Sequence, residues 1–196
     1  MKILKVKNYL KKIIKGPLVL IPEIFSDKRG FFYESWNVNT FQNSIKQDVS
    51  FVQDNHSKSS FGVLRGLHYQ LPPRPQAKLV RCTSGEIFDV IVDIRKSSPT
   101  YLSWFGIKLS SKNHKQLWIP SGFAHGFLTI SEWAEVQYKV DNLWEKNLEK
   151  CIKWDDELLN IKWPLDLIKF KSANLSRKDF AAMSITEAEK NNFLYP

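Results

Sequence analysis

The sequence predicts an all-β fold, a jelly-roll barrel with short helices and an irregular C-terminal portion. Short strand-like segments separated by turn residues fill the chain from about residue 17 to 141, as in antiparallel sandwiches and barrels. Several segments alternate apolar and polar residues with the period of two typical of half-buried strands. The sequence has no repeats, low-complexity stretches or long Gly/Ser linkers. We therefore expect one domain over residues 1–196, with its core at about 17–180.

Turn-forming residues separate the predicted strands and helices. Turn residues occur at 27–30, 71–73, 83–85, 97–99 and 120–122. Between the first two turns, Thr40 to Gln47 is predicted as a short helix, and a second helix is predicted around Lys178–Lys190.

Two neighbouring strand-like segments carry residues of chemical interest. If 62–70 is a strand, His68 shares a face with Leu64, Gly66 and Gln70. In the next segment, Lys78 shares a face with Val80 and Cys82 that is predicted to point inward. Because a lysine on an apolar face costs free energy unless an anion meets it, Lys78 is a candidate functional residue.

Two later segments show clear alternation. Segment 86–94 places Asp89 and Asp93 on one face and four apolar side chains on the other: Phe88, Val90, Val92 and Ile94. Segment 134–140 alternates strictly, with an apolar face of Ala134, Val136, Tyr138 and Val140. We therefore expect Tyr138 to point inward.

Composition excludes several classes of protein. Hydrophobic residues make up 43% and charged residues 25% of the chain, which argues against disorder. No apolar stretch is long enough to span a bilayer, and lysines interrupt the apolar N-terminal stretch that a signal peptide would need. The two cysteines lack C-x-x-C spacing, so neither a disulfide scaffold nor a zinc site is expected. We predict a cytoplasmic protein with no membrane partner.

The charge favours an anionic partner. The formal net charge is +9 and the pI about 9.5, which suits nucleic acid, acidic lipid or a phosphorylated small molecule. The lysines are spread along the chain, with a small cluster at Lys11, Lys12 and Lys15. A nucleic-acid arm would usually be denser, and we predict no nucleic-acid partner.

Four histidines are candidate metal ligands: His56, His68, His114 and His125. Small jelly-roll metal sites often use a His-x-His pair, and the sequence contains none. We therefore predict no catalytic metal. His114 follows Ser-Lys-Asn and is expected to be a solvated loop residue.

A set of motifs in one order resembles a known family. The motifs are Asp27-x-Arg29-Gly30-Phe31-Phe32-x-Glu34-Ser35, Phe51-Val52-Gln53-Asp54-Asn55-His56-Ser57, Val63-Leu64-Arg65-Gly66-Leu67-His68-Tyr69-Gln70, Gln76-Ala77-Lys78-Leu79-Val80-Arg81, Asp89-Val90-x-Val92-Asp93-Ile94-Arg95, Ile119-Pro120-x-Gly122-Phe123-Ala124-His125-Gly126-Phe127, Ile152-x-Trp154-x-Asp156 and Leu175-Ser176-x-Lys178-Asp179. Together they closely resemble the dTDP-4-dehydrorhamnose 3,5-epimerases of dTDP-L-rhamnose synthesis. The resemblance implies a cupin-type jelly roll, a homodimer, a dTDP-linked 4-keto-6-deoxy sugar as substrate, and no metal or other cofactor.

The resemblance also assigns roles residue by residue. It implies that His68 is the general base, Asp179 its carboxylate partner, Tyr138 the general acid on the opposite sugar face and Lys78 the cation near the keto oxygen. Nine further residues are expected to bind the nucleotide diphosphate or line its site: Phe25, Arg29, Phe32, Glu34, Gln53, Asn55, Arg65, His125 and Lys178.

The chain departs from the family pattern in two places. The stretch between Trp163-Pro164 and Leu175 is a few residues longer, which bears on the alignment of Asp179. Leu143-Trp144 stands where the family has a tyrosine pair. This difference affects the prediction of which sugar is the substrate and of whether C3 and C5 are both epimerised.

The sequence leaves two alternatives open. One is a mono-epimerase or ketoisomerase of another nucleotide-linked 4-keto-6-deoxy sugar. The other is a non-catalytic sugar- or nucleic-acid-binding cupin, which the net charge and the aromatic content of 13% would suit.

Overall fold

The computed structural model describes residues 1–168 and 173–196. Antiparallel β-strands are the main regular structure of the described chain and helices are few and short, which confirms the predicted fold class. In chain order the strands are β1 Lys2–Lys7, β2 Ile13–Ile21, β3 Phe25–Asp27, β4 Gly30–Phe32, β5 Gln53–Ser60, β6 Leu64–Gln70, β7 Lys78–Ser84, β8 Glu86–Asp93, β9 Trp104–Ser110, β10 Gln116–Ile119, β11 Phe123–Thr129, β12 Trp133–Val140 and β13 Glu149–Cys151.

Two sheets form the jelly roll. Six strands are ordered β1-β2-β10-β7-β12-β5, and five are ordered β13-β6-β11-β8-β9. Their facing sides enclose an apolar cluster that includes Val80, Ile91, Leu117 and Val136. Tyr138 packs against this cluster, so its predicted inward orientation is confirmed.

The C-terminal segment covers the outer side of the five-stranded sheet. Val90 and Val92 of β8 pack there with Trp163 and Ile185. Strand β8 is therefore buried on both faces, and Asp89 and Asp93 are as inaccessible as their apolar neighbours. No helix within the described residues is long and apolar enough to cross a membrane.

The outer side of the six-stranded sheet carries helix α1, Val38–Ile45, which confirms the helix predicted at 40–47. The Asn37 side chain accepts a hydrogen bond from the Thr40 N–H at its start, a common helix cap. Phe41 packs edge-on to Trp118 with the ring centroids 5.2 Å apart.

The second predicted helix is divided in two. Helices α2, Arg177–Phe180, and α3, Ile185–Lys190, each begin after a serine cap, Ser176 and Ser184. The second serine starts a new helix because its side chain accepts from the Glu187 N–H, so the single helix expected over 178–190 is wrong.

A bulge in β6 changes which side chains share a face. His68 pairs with His125 and Arg65 with Phe127, so Gly66 and Leu67 together face the single residue Gly126. Leu64 consequently packs with Leu67 and Tyr69 on the outer side, and His68 points to the opposite side. The expectation that His68 and Leu64 share a face is wrong, because the extra residue shifts the alternation by one.

Candidate active site

His68 and Asp179 are in direct contact, although 111 residues separate them. Nε2 of His68 lies 2.6 Å from Oδ1 of Asp179, which sits on α2 beneath strand β6. The other carboxylate oxygen accepts from the Ser176 hydroxyl at 2.7 Å. Burial alone would raise the pKa of Asp179, but the hydrogen bonds from His68 and Ser176 hold that pKa at about 2. The carboxylate is therefore ionised at neutral pH and orients the imidazole through Nε2, while no described residue hydrogen-bonds Nδ1 of His68.

Lys78 extends into the same region from β7. Only 8% of the residue is exposed, and its Nζ donates to the His68 carbonyl at 3.4 Å. Burial lowers the pKa of Lys78 to about 8, while the charges of Glu149 and Asp89 oppose that shift. The prediction that Lys78 points inward is confirmed, and its ammonium lies beside the histidine backbone.

Tyr138 approaches from the other sheet. It lies on β12, whereas His68 lies on β6 in the facing sheet. Burial raises the pKa of the Tyr138 phenol, the charge of Glu149 adds to the shift, and Arg65 opposes it. The phenol therefore keeps its proton at neutral pH and can donate it.

Polar side chains surround these three groups. Gln53 and Asn55 pair with Val140 and Tyr138 across β5 and β12, so they point to the side of Tyr138. The Gln53 amide donates to Asn55 Oδ1 at 2.8 Å. Arg65 donates from Nε to Ser59 Oγ at 2.9 Å, which leaves much of its guanidinium for an anion.

His125 is placed beside His68 by strand pairing. Its Nε2 lies 2.9 Å from Oδ2 of Asp89, and both side chains are buried. Among the described residues, no group hydrogen-bonds the other Asp89 oxygen. The site therefore contains a second histidine–carboxylate pair, which is more enclosed than the pair of His68 and Asp179.

Comparison with known proteins identifies the family. Residues 11–187 match the profile of the family described as dTDP-4-dehydrorhamnose 3,5-epimerase. The protein of that name from Shigella flexneri is 50% identical over 182 residues, which cover 93% of this chain and 98% of that protein. The chain belongs to the dTDP-4-dehydrorhamnose 3,5-epimerase family.

Solved structures extend the likeness. The dTDP-6-deoxy-D-glucose-3,5-epimerase of Legionella pneumophila, solved in complex with dTDP-4-keto-L-rhamnose, is 39% identical. It superposes with a TM-score of 0.89 over 99% of this chain and 98% of that one. A 3'-monoepimerase of Streptomyces bikiniensis, solved with dTDP-quinovose, is 31% identical with a TM-score of 0.86 over 93% and 90% of the two chains.

Within this epimerase-family chain, four of the predicted binding residues lie away from the His68 cleft. Phe25, Arg29 and Phe32 belong to the exposed β3–β4 hairpin, and Glu34 follows it. Arg29 pairs with Asp27 at 2.6 Å. The other three line a groove of about 510 Å³ on the outer side of the six-stranded sheet, whereas Tyr138 points to the inner side.

Two residues beside His68 were not indicated by sequence reasoning: Glu149 and Cys151, which lie on β13 where it pairs with β6. The Trp144 indole donates to Glu149 Oε2 at 3.0 Å, and its backbone N–H donates to Gln53 Oε1 at 3.2 Å. Glu149 also pairs with Lys178. Burial would raise the pKa of Glu149, but the Lys178 ammonium and the Trp144 indole keep it below its ordinary value.

The lengthened stretch before Leu175 includes residues 169–172, which lie outside the described residues. The contact between His68 and Asp179 nevertheless brings these two predicted site residues together.

Proposed function

We propose that the chain epimerises C3 and C5 of dTDP-4-dehydro-6-deoxy-D-glucose to give dTDP-4-dehydro-L-rhamnose. The observation that carries this proposal is the cleft in which His68, bound to Asp179, faces Tyr138 across the barrel beside a buried Lys78. Its relatives carry the name of this activity at about half sequence identity.

The first step is removal of a proton next to the C4 carbonyl. Both C3 and C5 are adjacent to that carbonyl, so their protons are the acidic ones. We assign the base to His68, because imidazole accepts protons near neutral pH. Asp179 orients the ring and stabilises the imidazolium that forms, which is the role of the carboxylate in a Ser-His-Asp triad.

The enolate formed places its negative charge on the C4 oxygen. We assign its stabilisation to Lys78, whose compact ammonium offers several donors. A preorganised cation in a water-poor site lowers the barrier, as an oxyanion hole does. Proton transfer by these side chains accounts for the reaction without a metal ion.

Inversion requires a new proton from the opposite face of the ring. Tyr138 lies on the sheet that faces the sheet of His68, so it can approach the ring from the opposite side. We assign the acid to Tyr138. Because the pKa of its phenol is raised, Tyr138 is protonated when the enolate forms and can donate that proton.

The remaining residues are proposed to hold the nucleotide. Arg65 suits bidentate contacts with the diphosphate, and Gln53, Asn55, His125 and Lys178 surround the cleft. Binding energy from the nucleotide, which is remote from the reacting carbons, positions the sugar.

We propose that the chain acts as a homodimer. The hairpin that carries Phe25, Arg29 and Phe32 is exposed and lies outside the barrel of its own chain. In a dimer, this hairpin of one subunit would reach the cleft of the other and supply the missing nucleotide contacts.

Residues 1–196 are proposed to form one epimerase domain that works in the cytoplasm. Both cysteines are free thiols, which suits a reducing compartment.

A second candidate is epimerisation at one carbon only. It is favoured by the likeness to the Streptomyces bikiniensis monoepimerase and by Leu143-Trp144 in place of a tyrosine pair.

The test is incubation with dTDP-4-dehydro-6-deoxy-D-glucose followed by proton NMR of the product. We expect inversion at C3 and C5. Inversion at C3 alone selects the monoepimerase, and an unchanged sugar contradicts both candidates. A thermal-shift assay with a panel of nucleotides tests which nucleobase the site prefers. We expect dTDP to raise the melting temperature most.

A further inference from the structure

Three atoms that bind zinc in other proteins converge in the cleft. The His68 ring nitrogens, the Cys151 Sγ and the Asp179 carboxylate each offer a ligand atom within 4.8 Å of the others. Strand β13 places Cys151 directly opposite His68 on β6. The thiol donates to Asp179 Oδ1 at 3.7 Å, the same oxygen that lies 2.6 Å from His68 Nε2.

Two of the three ligand separations are close to those of a tetrahedral site, and the third, between His68 and Cys151, is at most 4.8 Å. Zinc bonds of about 2.0–2.3 Å to nitrogen, oxygen and sulfur place neighbouring ligand atoms about 3.4 Å apart. The Cys151–Asp179 separation already fits, and the His68–Asp179 separation must widen by less than about 1 Å. Ser176, which donates to the second Asp179 oxygen, would hold the ligating carboxylate in place, as outer partners do in metal sites.

We infer that the cleft binds one Zn²⁺ ion through His68, Cys151 and Asp179, and that this ion inhibits the enzyme. A water completes the tetrahedron on the open side, where 27% of the His68 side chain is exposed. Binding releases the thiol proton and the proton shared by His68 and Asp179 to solvent. The ion then separates the imidazole from its carboxylate and fixes the ring, so His68 no longer serves as the base.

The binding half of this inference is independent of the proposed function, while the inhibitory half rests on it. Cys82 provides the matched control, because it is also a buried free thiol. Its Sγ donates to the Ser84 carbonyl instead, and it belongs to the cluster inside the barrel.

Binding is tested on the full chain with Co²⁺, which occupies zinc sites and reports thiolate ligands by a charge-transfer band in the near ultraviolet. We expect one equivalent of Co²⁺ to produce this band in the wild type and in Cys82→Ala, and not in Cys151→Ala or Cys151→Ser. Circular dichroism checks that the variants are folded, and the serine variant preserves the volume of the site. No band in the wild type, or an equal band in a folded Cys151 variant, overturns the inference.

Inhibition is tested with Zn²⁺ on the epimerase reaction. Wild type is expected to lose activity and to regain it with EDTA. Each Cys151 variant, relative to its own metal-free rate, should need at least about tenfold more zinc, since even outer partners of a ligand change metal affinity about 10–100-fold. Equal zinc sensitivity in these variants overturns the inhibitory role. A cobalt band in a protein without epimerase activity contradicts the proposed function and supports the metal site.

Discussion

The hydrogen bond between His68 and Asp179 determines which nitrogen of the imidazole faces the cleft. Nε2 is held by the carboxylate at 2.6 Å, so Nδ1 is the nitrogen to which the proposed mechanism assigns acceptance of the substrate proton. The Asp179 oxygens also accept from the Gly66 N–H and the Ser176 hydroxyl. These donors fix the carboxylate, and the carboxylate in turn fixes the ring.

Asp179→Asn is predicted to slow turnover by at least about 10²-fold, because an amide neither stabilises the imidazolium nor selects the correct tautomer. Fold and nucleotide binding should be retained. Steady-state kinetics and a thermal-shift titration with dTDP measure these effects. The exposed neighbour Asp155 serves as the control, and Asp155→Asn should behave as wild type. A wild-type rate in Asp179→Asn would remove Asp179 from the mechanism.

Sequence could indicate the positions of some site residues and not others. Alternation alone placed Lys78 and Tyr138 on inward faces, since both lie on regular strands. Glu149 and Cys151 gave no such signal, because β13 is only three residues long. Their position depends on the pairing of β13 with β6, which neither segment encodes locally.

The bulge in β6 orients the His68 side chain. Gly66 has φ +122°, and a Cβ there would lie 2.5 Å from Gly126 Cα and 2.7 Å from the His125 carbonyl oxygen. Only glycine permits this close approach of β6 and β11. The bulge changes the parity of the strand, which explains why alternation misplaced Leu64 relative to His68.

Gly66→Ala is therefore predicted to displace β6 from β11, lowering both activity and the melting temperature. Gly62→Ala is the matched control, because Gly62 also has a positive φ, +77°, but a Cβ there meets nothing within 4 Å. The free energy of unfolding of this control should fall only by the roughly 1–2 kcal/mol expected for a side chain in the left-handed conformation. Calorimetry and steady-state kinetics compare the stability and activity of the two variants. Equal losses in both would contradict the view that contact with β11 requires glycine at position 66.

A buried carboxylate closes the turn after β8. Asp93 accepts from Arg95 Nη2 at 2.8 Å, the Ser98 hydroxyl at 2.6 Å and the Thr100 hydroxyl at 2.7 Å. Burial alone would raise the pKa of Asp93, but these donors hold it below its ordinary value. The ionised form is therefore the stabilising one.

This contribution to stability is fully present above the unfolded pKa of about 3.9 and is lost as pH falls through the lower folded pKa. Asp93→Asn should lower the free energy of unfolding at pH 7 by about 3 kcal/mol and flatten its decline below about pH 4. Urea unfolding at several pH values measures both effects. Asp54→Asn, which breaks the exposed pair with Lys139, should cost less than about 1 kcal/mol. If the stability of Asp93→Asn fell with pH as steeply as that of wild type, ionised Asp93 would not be the stabilising form.

The whole molecule presents its predicted nucleotide-binding residues on two surfaces. Arg65, Gln53 and Asn55 surround the cleft, while Arg29 lies on the exposed hairpin outside the barrel. The order of the motifs could indicate all of these residues. It could not indicate that they lie on two separate surfaces of the same chain. That separation depends on the path of the chain after β2, which carries the hairpin to the outer side of the sheet.

If the hairpin completes the partner's site, two inactive variants should complement each other. Arg29→Ala and His68→Asn, mixed after reversible dissociation, are expected to recover about a quarter of wild-type activity. Half of randomly assorted dimers are mixed, and each mixed dimer has one intact site. Light scattering should give about twice the chain mass of 22.9 kDa. A dimer without complementation would place Arg29 in its own subunit's site, and a monomer would contradict the assembly.

The opposed positions of His68 and Tyr138 are tested most directly by NMR of the sugar in D₂O. Wild type should exchange the C3 and C5 protons and invert both carbons, and His68→Asn should do neither. Tyr138→Phe should still exchange protons through His68 while inversion falls by at least about 10²-fold, because deuterium then returns from the original face. Full inversion in Tyr138→Phe, or exchange in His68→Asn at the wild-type rate, would contradict the two-sided mechanism.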